Sequence, residues 1–436
     1  MEKLIPAVIG SDTLVVKLNN AATTSPFVQT ADAVHKFFDS YGALHRGAGP
    51  HANKTVEIAE QAIATIREFF GVSAEQAMLY TSNTSAAINE LARLMVLTNE
   101  DVILTSCIEH TSNNLPWRYN TKAKIVEVSA FSDGSLDMDD LEEKAKKYSK
   151  QLKWIAMTGA SNLAGFVPDV KRLSAIAHLH GARLFIDAAQ LAPHRPINMK
   201  KQGIDALAFS AHKIYSPFGL GVLVLPKDML ERTPVDPGGG SIDMISTERI
   251  LWAPSAERHQ TGTWNVVGIV ALAESCRIMT NTGWSTILKH ERDLIQYAVK
   301  RLSGIPDVIH HVPLEKFKAE DRIGTFPFTL KGYHHALVAA ILDHEYGIET
   351  RAGTICNHRL VRRWFAIDDK TQEKIEERIK NGDRLASYGA VRASLGIFNT
   401  TKDIDRLVDA LISIQKNGPS LSYKPSPKEE TYIPVL

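Results

Sequence analysis

Short apolar runs alternate with longer amphipathic segments over most of the chain. Trp154 to Thr158 is an apolar run, Val170 to His180 has helical spacing, and Ala182 to Asp187 is apolar again. Short apolar runs of this kind are typical of buried strands, whereas the spacing between them is that of helices. The alternation predicts an α/β fold in which helices connect the strands of a mainly parallel sheet.

Five further apolar runs are predicted as strands. Most of them end where small or polar residues begin, and ligands of open α/β sheets gather beyond the carboxyl ends of the strands. The runs are Ala77 to Tyr80, Val102 to Thr105, Ile125 to Val128, Ala206 to Ser210 and Gly221 to Leu225. Functional residues are therefore expected directly after these runs.

A chain of 436 residues is too long for one minimal hydrophobic core. We predict an N-terminal segment over residues 1–25, a large domain over 26–285 and a small C-terminal α/β domain over 286–418. A helical segment from about Gly268 to Leu302 would bridge the two domains. The tail over 419–436 is rich in proline and is expected to be poorly structured by itself.

The stretch from Thr233 to Pro254 is predicted to be a long loop. It contains Pro234, Pro237 and the glycine triplet Gly238 to Gly240, a composition that suits a loop better than a packed element. We interpret it as an active-site loop or a contact between subunits.

Composition and charge argue against several classes of protein. Apolar residues make up 44% of the chain and charged residues 23%, which is typical of a globular protein. The formal net charge of +1 gives no field that would attract nucleic acid or a membrane surface, so neither is an expected partner. The first ten residues lack the apolar core of a signal peptide and no run approaches membrane-spanning length, which predicts a cytoplasmic protein.

The three cysteines, Cys107, Cys276 and Cys356, are far apart in the chain. Their number and spacing fit neither a disulfide framework nor a zinc site. We expect free thiols and no metal.

A lysine follows the run that ends at Ser210, and the preceding run ends in an aspartate. Alone, Lys213 would more often be a solvated loop charge and Asp187 an ordinary helix cap. Together they suit pyridoxal phosphate (PLP), whose chemistry needs a lysine for covalent attachment and an acid that keeps the pyridine nitrogen protonated. Gln190 would then reach the phenolic oxygen of the cofactor, and Ser210 and His212 its phosphate.

A phosphate also needs a group of donors, and the segment Thr81 to Ser85 lies between a predicted strand and a predicted helix. Hydroxyls and free N–H groups at a helix N-terminus bind anions, which makes Thr84 and Ser85 candidate phosphate ligands; a plain helix cap is the alternative. His110 follows another predicted strand, where it could stack on the pyridine ring or move a proton. Alone, His110 would more often be a structural histidine.

Taken together, these residues resemble the class V aminotransferase family of fold-type I PLP enzymes, and most closely its cysteine desulfurases and selenocysteine lyases. The resemblance runs from about Leu18 to Leu411 and implies a large domain with a mainly parallel sheet and a smaller α/β domain. Short motifs in a specific order support it: Leu18 to Thr24, His45-Arg46-Gly47, Glu109-His110, Pro116-Trp117, Ser161-Asn162, Asp187 to Gln190, Ser210 to Lys213, Gly238 to Gly240, Gly262-Thr263, Arg392 to Leu395 and Asn399.

The resemblance implies a cofactor role for ten residues. Lys213 would be the Schiff-base lysine, Asp187 would pair with the ring nitrogen, and Thr263 would reach the phosphate of a neighbouring subunit, so that the protein is a homodimer. Of the remaining seven, His110 would stack on the ring, and Asn162 and Gln190 would bind the cofactor on the side of its phenolic oxygen. The phosphate would be bound by Thr84, Ser85, Ser210 and His212.

The resemblance also implies residues for the substrate. Arg392, a planar bidentate donor, would bind the substrate carboxylate together with Asn162, unless it forms a structural salt bridge. Cys356 lies in a segment that resembles the loop of the sulfur-accepting cysteine. With L-cysteine as substrate, the products would be alanine and a persulfide on Cys356, which a sulfur-acceptor protein could receive. Cys107 and Cys276 are interpreted as packing residues.

The chain differs from that branch of the family at three places. Thr354 and Ile355 replace a usual pair of histidines, and Trp264 replaces a usual proline. The stretch between the cysteine and the arginine is longer than expected and adds a charged helical segment over about Thr371 to Asn381.

Two other functions stay open. A lyase acting on another sulfur or selenium amino acid, or an epimerase, would use the same cofactor without a persulfide on Cys356. A non-catalytic binding protein with this fold is the remote alternative.

Overall fold

The computed structural model describes residues 8–9, 13–44 and 47–435. His45 and Arg46 of the resemblance motif, and part of the predicted segment 1–25, lie outside the described residues.

The strands in chain order are short, as the sequence pattern predicts. They are β1 (Val8–Ile9), β2 (Thr13–Leu14), β3 (Val16–Lys17), β4 (Gln76–Thr81), β5 (Val102–Ser106), β6 (Lys124–Val128), β7 (Leu152–Thr158), β8 (Arg183–Asp187), β9 (Ala206–Ser210), β10 (Gly221–Pro226), β11 (Ile242–Ile245), β12 (Ile250–Trp252), β13 (Val308–His310), β14 (Thr325–Leu330), β15 (Ile348–Glu349), β16 (Arg351–Gly353), β17 (Ala390–Ser394), β18 (Ser422–Ser426) and β19 (Thr431–Val435).

The α-helices connect and cover these strands. They are α1 (Val28–Phe38), α2 (Pro50–Phe70), α3 (Thr84–Leu94), α4 (Leu115–Asn120), α5 (Met138–Lys147), α6 (Val170–Leu179), α7 (Met199–Gln202), α8 (Val266–Thr282), α9 (Trp284–Leu302), α10 (His335–Tyr346), α11 (His358–Trp364), α12 (Asp369–Lys380) and α13 (Thr401–Asn417).

A seven-stranded sheet has the order β4-β10-β9-β8-β7-β5-β6, and its five strands from β9 to β6 pair in parallel. β10 pairs antiparallel with both β4 and β9. Alternate residues of β9 enter different hydrophobic clusters, Leu207 and Phe209 on one face and Ala206 and Ala208 on the other. Both faces of this sheet are therefore buried, which confirms the α/β class that the sequence predicts.

A second sheet of four strands is antiparallel and has the order β13-β14-β17-β16. Its strands pack with α9, α10 and α13 in a separate hydrophobic cluster that includes Phe328, Ile341 and Leu411. β3, near the N-terminus, pairs in parallel with β15 beside this cluster. Two sheets with separate cores are consistent with two domains, although the boundaries 26–285 and 286–418 stay a prediction.

Three expectations about local structure need correction. The tail beyond Gly418 is not unstructured: β18 and β19 form a hairpin over five residue pairs, which packs near α10 through Tyr423 and Tyr432. The segment from Gly268 to Leu302 is two helices rather than one, because the chain turns at Gly283 with φ 82°. The predicted loop over 233–254 includes the β11–β12 hairpin.

Candidate active site

Eleven of the twelve predicted site residues line one cavity of about 400 Å³, the active-site cavity. It lies where β5, β7, β8 and β9 end, as expected for a parallel sheet. The eleven are Thr84, Ser85, His110, Asn162, Asp187, Gln190, Ser210, His212, Lys213, Cys356 and Arg392. Thr263 is the exception: it is exposed and lines a separate cavity beside Gln260 and Asn265.

Lys213 and Asp187 interact electrostatically inside the cavity. Asp187 is the last residue of β8 and is 3% exposed. Burial raises the pKa of its carboxyl group. The Ala189 N–H, which donates to Oδ1 at 3.0 Å, and the charge of Lys213 oppose this rise. Burial and the nearby Arg392 lower the pKa of Lys213 to about 8, against the pull of Asp187. A lysine with this pKa has a substantial neutral fraction near neutral pH, as a nucleophile or base requires.

Hydroxyl groups cluster at the N-terminus of α3. Ser210 Oγ accepts from the backbone N–H of Thr84 at 2.7 Å and lies 2.6 Å from Thr84 Oγ1, while Ser85 Oγ lies 2.6 Å from Ser112 Oγ. Gly221, at the start of β10, permits this arrangement because a Cβ there would come within 2.4 Å of the Asn83 backbone. The resulting group of donors at a helix N-terminus is suited to an anion.

Two amide side chains, those of Asn162 and Gln190, also line the cavity. Gln190 Nε2 donates to the backbone oxygen of Ala21 at 2.6 Å, and Asn162 Nδ2 donates to that of Ile355 at 2.8 Å. Asn162 Oδ1 is buried and has no hydrogen-bond partner in the part of the chain described. Burial, Lys213 and Arg392 lower the pKa of His110 to about 4, so its imidazole is neutral at physiological pH.

Arg392 lies in β17 and is 2% exposed. Its Nη1 donates to the Asn162 backbone oxygen at 2.9 Å and its Nη2 to Asn19 Oδ1 at 3.0 Å, whereas the buried Nε is without a partner among the described residues. No carboxylate pairs with it in the described structure, and burial lowers its pKa to about 9, with Arg351 adding to the effect. A buried guanidinium of this kind is suited to an anionic substrate, and it forms no structural salt bridge with any residue that the structure describes.

The segment that contains Cys356 is held in a strained conformation. Ile355 and Cys356 have φ values of 52° and 55°, a region that non-glycine residues rarely adopt. The Cys356 backbone oxygen accepts from Thr111 N and Thr111 Oγ1, both at 2.9 Å, and Asn357 Nδ2 donates to the Ile108 backbone oxygen at 2.8 Å. These bonds fix the segment to the end of β5, with the Cys356 side chain exposed at the cavity.

Sequence reasoning assigned no role to Asn357, Thr111 or Glu109, although Glu109 belongs to one of the motifs of the resemblance. Asn357 was recognisable as an N-cap, because an asparagine directly precedes the helical pattern of α11. Glu109 is 5% exposed, accepts from Ser106 Oγ and Asn113 Nδ2 at 2.5 Å each, and burial raises its pKa to about 8. No local signal identifies the partners of Thr111, since they are 245 residues away in the chain.

The other two thiols are buried, as the sequence predicts: Cys276 in α8 and Cys107 after β5. Burial raises the pKa of both thiols. Within the described ranges there is no group of three or more side chains that could hold a metal ion, and no helix is long and apolar enough to span a membrane.

The residues present fit PLP. A half-buried lysine and a buried carboxylate line the same cavity, and a hydroxyl cluster at a helix N-terminus suits its phosphate. Asn162 Oδ1 and Arg392 Nε are buried polar atoms without a partner among the described residues. Together with the seven-stranded sheet, this arrangement defines the class of protein as a fold-type I PLP enzyme.

Comparisons with known proteins agree with this class. The chain is 31% identical over 409 residues to a probable cysteine desulfurase of Streptomyces coelicolor, covering 91% of each protein. It is 30% identical over 406 residues to a probable cysteine desulfurase of Halalkalibacterium halodurans, covering 91% of this chain and 92% of that protein. A solved apo structure of a cysteine desulfurase from Thermococcus onnurineus NA1 is similar, with a TM-score of 0.79, 26% identity and coverage of 92% and 94%.

The family described as aminotransferase class-V matches residues 16–407. The chain therefore belongs to the class-V aminotransferase family. It is a PLP-dependent enzyme that acts on an amino-acid substrate.

Proposed function

We propose that the protein is a cysteine desulfurase that converts L-cysteine to L-alanine and transfers the sulfur to Cys356 as a persulfide. The observation that supports this most directly is the position of Cys356. It is exposed at the cavity that Lys213 and Arg392 also line, whereas the other two thiols are buried. The similar proteins named as cysteine desulfurases support the same reaction.

Nine of the cavity residues would each hold one part of the cofactor. Lys213 would attach it covalently, Asp187 would pair with its ring nitrogen and His110 would lie against its ring. Its polar groups would be bound by Asn162 and Gln190 on the side of the phenolic oxygen and by Thr84, Ser85, Ser210 and His212 at the phosphate. When bound, PLP supplies an electron sink that makes the α-proton of an amino acid acidic.

The remaining chemistry belongs to the side chains of the chain itself. Arg392 binds the substrate carboxylate, which orients the amino acid towards Lys213. The neutral amine of Lys213 takes the α-proton at Nζ and returns a proton to the product. The thiolate of Cys356 takes the substrate sulfur: the bond between carbon and sulfur breaks and a bond between two sulfur atoms forms. Cysteine and one enzyme thiol thus give alanine and one persulfide, with no external oxidant.

The first test measures alanine and sulfide released from L-cysteine in the presence of a reductant. We expect release from the wild type and from Cys276→Ala, the matched control with a buried thiol, and none from Cys356→Ala. Equal release from Cys356→Ala would reject the persulfide. A PLP-loaded protein that releases nothing from cysteine would point to another amino acid, and a colourless protein that takes up no PLP would point to a binding function.

We also propose a homodimer in which Thr263 completes the active site of the second copy. In one chain Thr263 lies away from the active-site cavity. The β11–β12 hairpin, 11 to 21 residues before Thr263 in the chain, exposes large apolar side chains. These are Met244, Ile245, Ile250 and Leu251, with exposed fractions of 67%, 64%, 47% and 59%.

Sedimentation of the wild type and of a Met244→Lys, Leu251→Lys double variant tests this assembly. We expect a dimer that the double variant disrupts, with loss of activity, while Phe131→Lys, at another exposed apolar residue, leaves both unchanged. A fully active monomer would reject the proposal.

We further propose a cytoplasmic location, which the three free thiols support, and a sulfur-acceptor protein as partner.

A further inference from the structure

A second cavity, of about 610 Å³, is lined in part by the residues that directly follow the Cys356 segment. Ile355 and Cys356 line the active-site cavity, whereas His358 and Arg359, which follow directly, line the second cavity. Cys107 and Glu127, from the ends of β5 and β6, form its floor. It therefore lies at the same carboxyl edge of the parallel sheet as the active site, where ligands of such sheets bind.

The wall of the second cavity is formed by α11 and α12, the stretch that is longer than expected from the family resemblance. Three arginines of α11 line it, at positions 359, 362 and 363. This spacing places them on one side of the helix. A volume of this size is within the range of small-molecule sites in proteins.

The three guanidinium groups differ in their partners. Arg359 pairs with Glu127, and Arg362 pairs with Asp369 at 2.6 Å and donates to the Ile367 backbone oxygen at 2.8 Å. Arg363 has no carboxylate within 4.0 Å among the described residues. Its hydrogen bond there is to Cys107 Sγ, at 3.3 Å.

A thiol is a weak acceptor, so this contact leaves most of the donors of the exposed Arg363 side chain to water or to a ligand. The acidic residues of the cavity are already engaged: Glu127 by Arg359, and Glu376 by Gln372, whose Nε2 donates to it at 2.9 Å. Gln372 in turn accepts from the Tyr388 hydroxyl at 2.9 Å. The free donors of Arg363 therefore face a cavity whose own carboxylates have partners.

We propose that the second cavity binds a small molecule through a carboxylate or phosphate group, which Arg363 receives with two parallel hydrogen bonds. The helix that carries Arg363 begins two residues after Cys356. A ligand there would contact the same element that positions the sulfur-accepting segment. This site is distinct from the cofactor site and does not depend on which amino acid the enzyme uses.

Calorimetric titration of the PLP-loaded protein with inorganic phosphate, and separately with succinate, tests the proposal and distinguishes the two anions. We expect at least one of them to bind with a stoichiometry of one. Arg363→Gln should weaken that binding at least ~10-fold, the typical effect of losing a charge-assisted hydrogen bond. Arg363→Lys should restore it in part, because it keeps the charge but not the planar fork.

Two controls locate the bound anion. Arg378→Gln, which removes an exposed arginine of α12 paired with Asp383, should bind as the wild type does. Arg392→Gln removes the guanidinium of the active-site cavity, so binding that persists in this variant and is weakened by Arg363→Gln is located at the second cavity. Absence of binding by both anions, or binding that Arg392→Gln abolishes and Arg363→Gln does not, would overturn the proposal. Neither result would bear on the desulfurase reaction, which is measured separately.

Discussion

The anchoring of the Cys356 segment by Asn357 leads to a quantitative prediction. The Asn357 side chain is 1% exposed; it donates to the Ile108 backbone oxygen at 2.8 Å and accepts from Leu360 N at 3.4 Å as the cap of α11. Replacing it with alanine removes both contacts. Because Ile355 and Cys356 have positive φ values, the segment adopts its conformation only while such contacts hold it.

The expected size of the effect follows from these contacts. A buried carbonyl left without its donor costs about 1–3 kcal/mol, and loss of a helix cap costs about 1 kcal/mol. The strain at the two residues with positive φ favours release equally in both proteins, so it does not enter the difference. A net loss of about 2 kcal/mol would shift the equilibrium between the anchored and the released segment about 30-fold.

Hydrogen exchange of the Thr111 amide measures this equilibrium directly, because its N–H donates to the Cys356 backbone oxygen. We expect exchange about 30-fold faster in Asn357→Ala, together with a lower kcat for cysteine and an unchanged capacity for PLP. Asn357→Asp keeps the cap acceptor and loses the donor, so its exchange rate should be intermediate. Asn381→Ala, at an exposed residue after α12, is the control.

Unchanged exchange at Thr111 in Asn357→Ala would refute the anchoring argument. So would equal acceleration in the Asn381→Ala control, because that would indicate general destabilisation.

Three further predictions concern charge. Uptake of the cofactor by the PLP-free protein can be followed by absorbance, and its rate should rise with pH and level off above about pH 8. The reason is that burial lowers the pKa of Lys213 and only its neutral amine reacts. A midpoint of the pH dependence near 10.5 would contradict this. Arg392→Lys should raise the KM for the amino acid ~10-fold or more and leave cofactor absorbance unchanged, since it loses the bidentate donor; an unchanged KM would remove Arg392 from substrate binding. Burial alone would raise the pKa of Glu291, but His194, 2.7 Å away, and Arg195 lower this pKa to about 2. The ionised Glu291 therefore stabilises the folded protein fully above pH 4.5, and this stabilisation is lost as the pH falls towards 2. Glu291→Gln should therefore lower the free energy of unfolding by about 3–5 kcal/mol at pH 7 and by much less at pH 2, as measured with denaturant; an equal loss at both pH values would contradict the assignment.

Local patterns of the sequence were sufficient for much of the fold and site. The strand that precedes Lys213 and the strand that ends at Asp187 were predictable, because a short apolar run between turn residues is typical of a strand buried on both faces. Their catalytic ends could be located because parallel strands end at one edge of a sheet. The charged helix predicted over about Thr371 to Asn381 forms as α12, over Asp369–Lys380.

Elements that depend on distant partners were less predictable. The prolines of the tail suggested a lack of structure, yet β18 and β19 pair with each other and Tyr423 packs against the second core. Gly283 lies in an otherwise helical pattern, and the sequence does not indicate whether the helix continues or turns there.

By itself, the sequence determined which side chains meet in one cavity, since a lysine, an aspartate and hydroxyls after neighbouring strands lie at one edge of the sheet. The tertiary structure decided how they are tuned and held. Burial lowers the pKa of Lys213, and the fold brings no carboxylate of the described residues to Arg392. The position of Cys356 depends on Thr111, whose distance of 245 residues along the chain leaves no local signal. Charge and strain depend on neighbours in space, and only the folded chain specifies them.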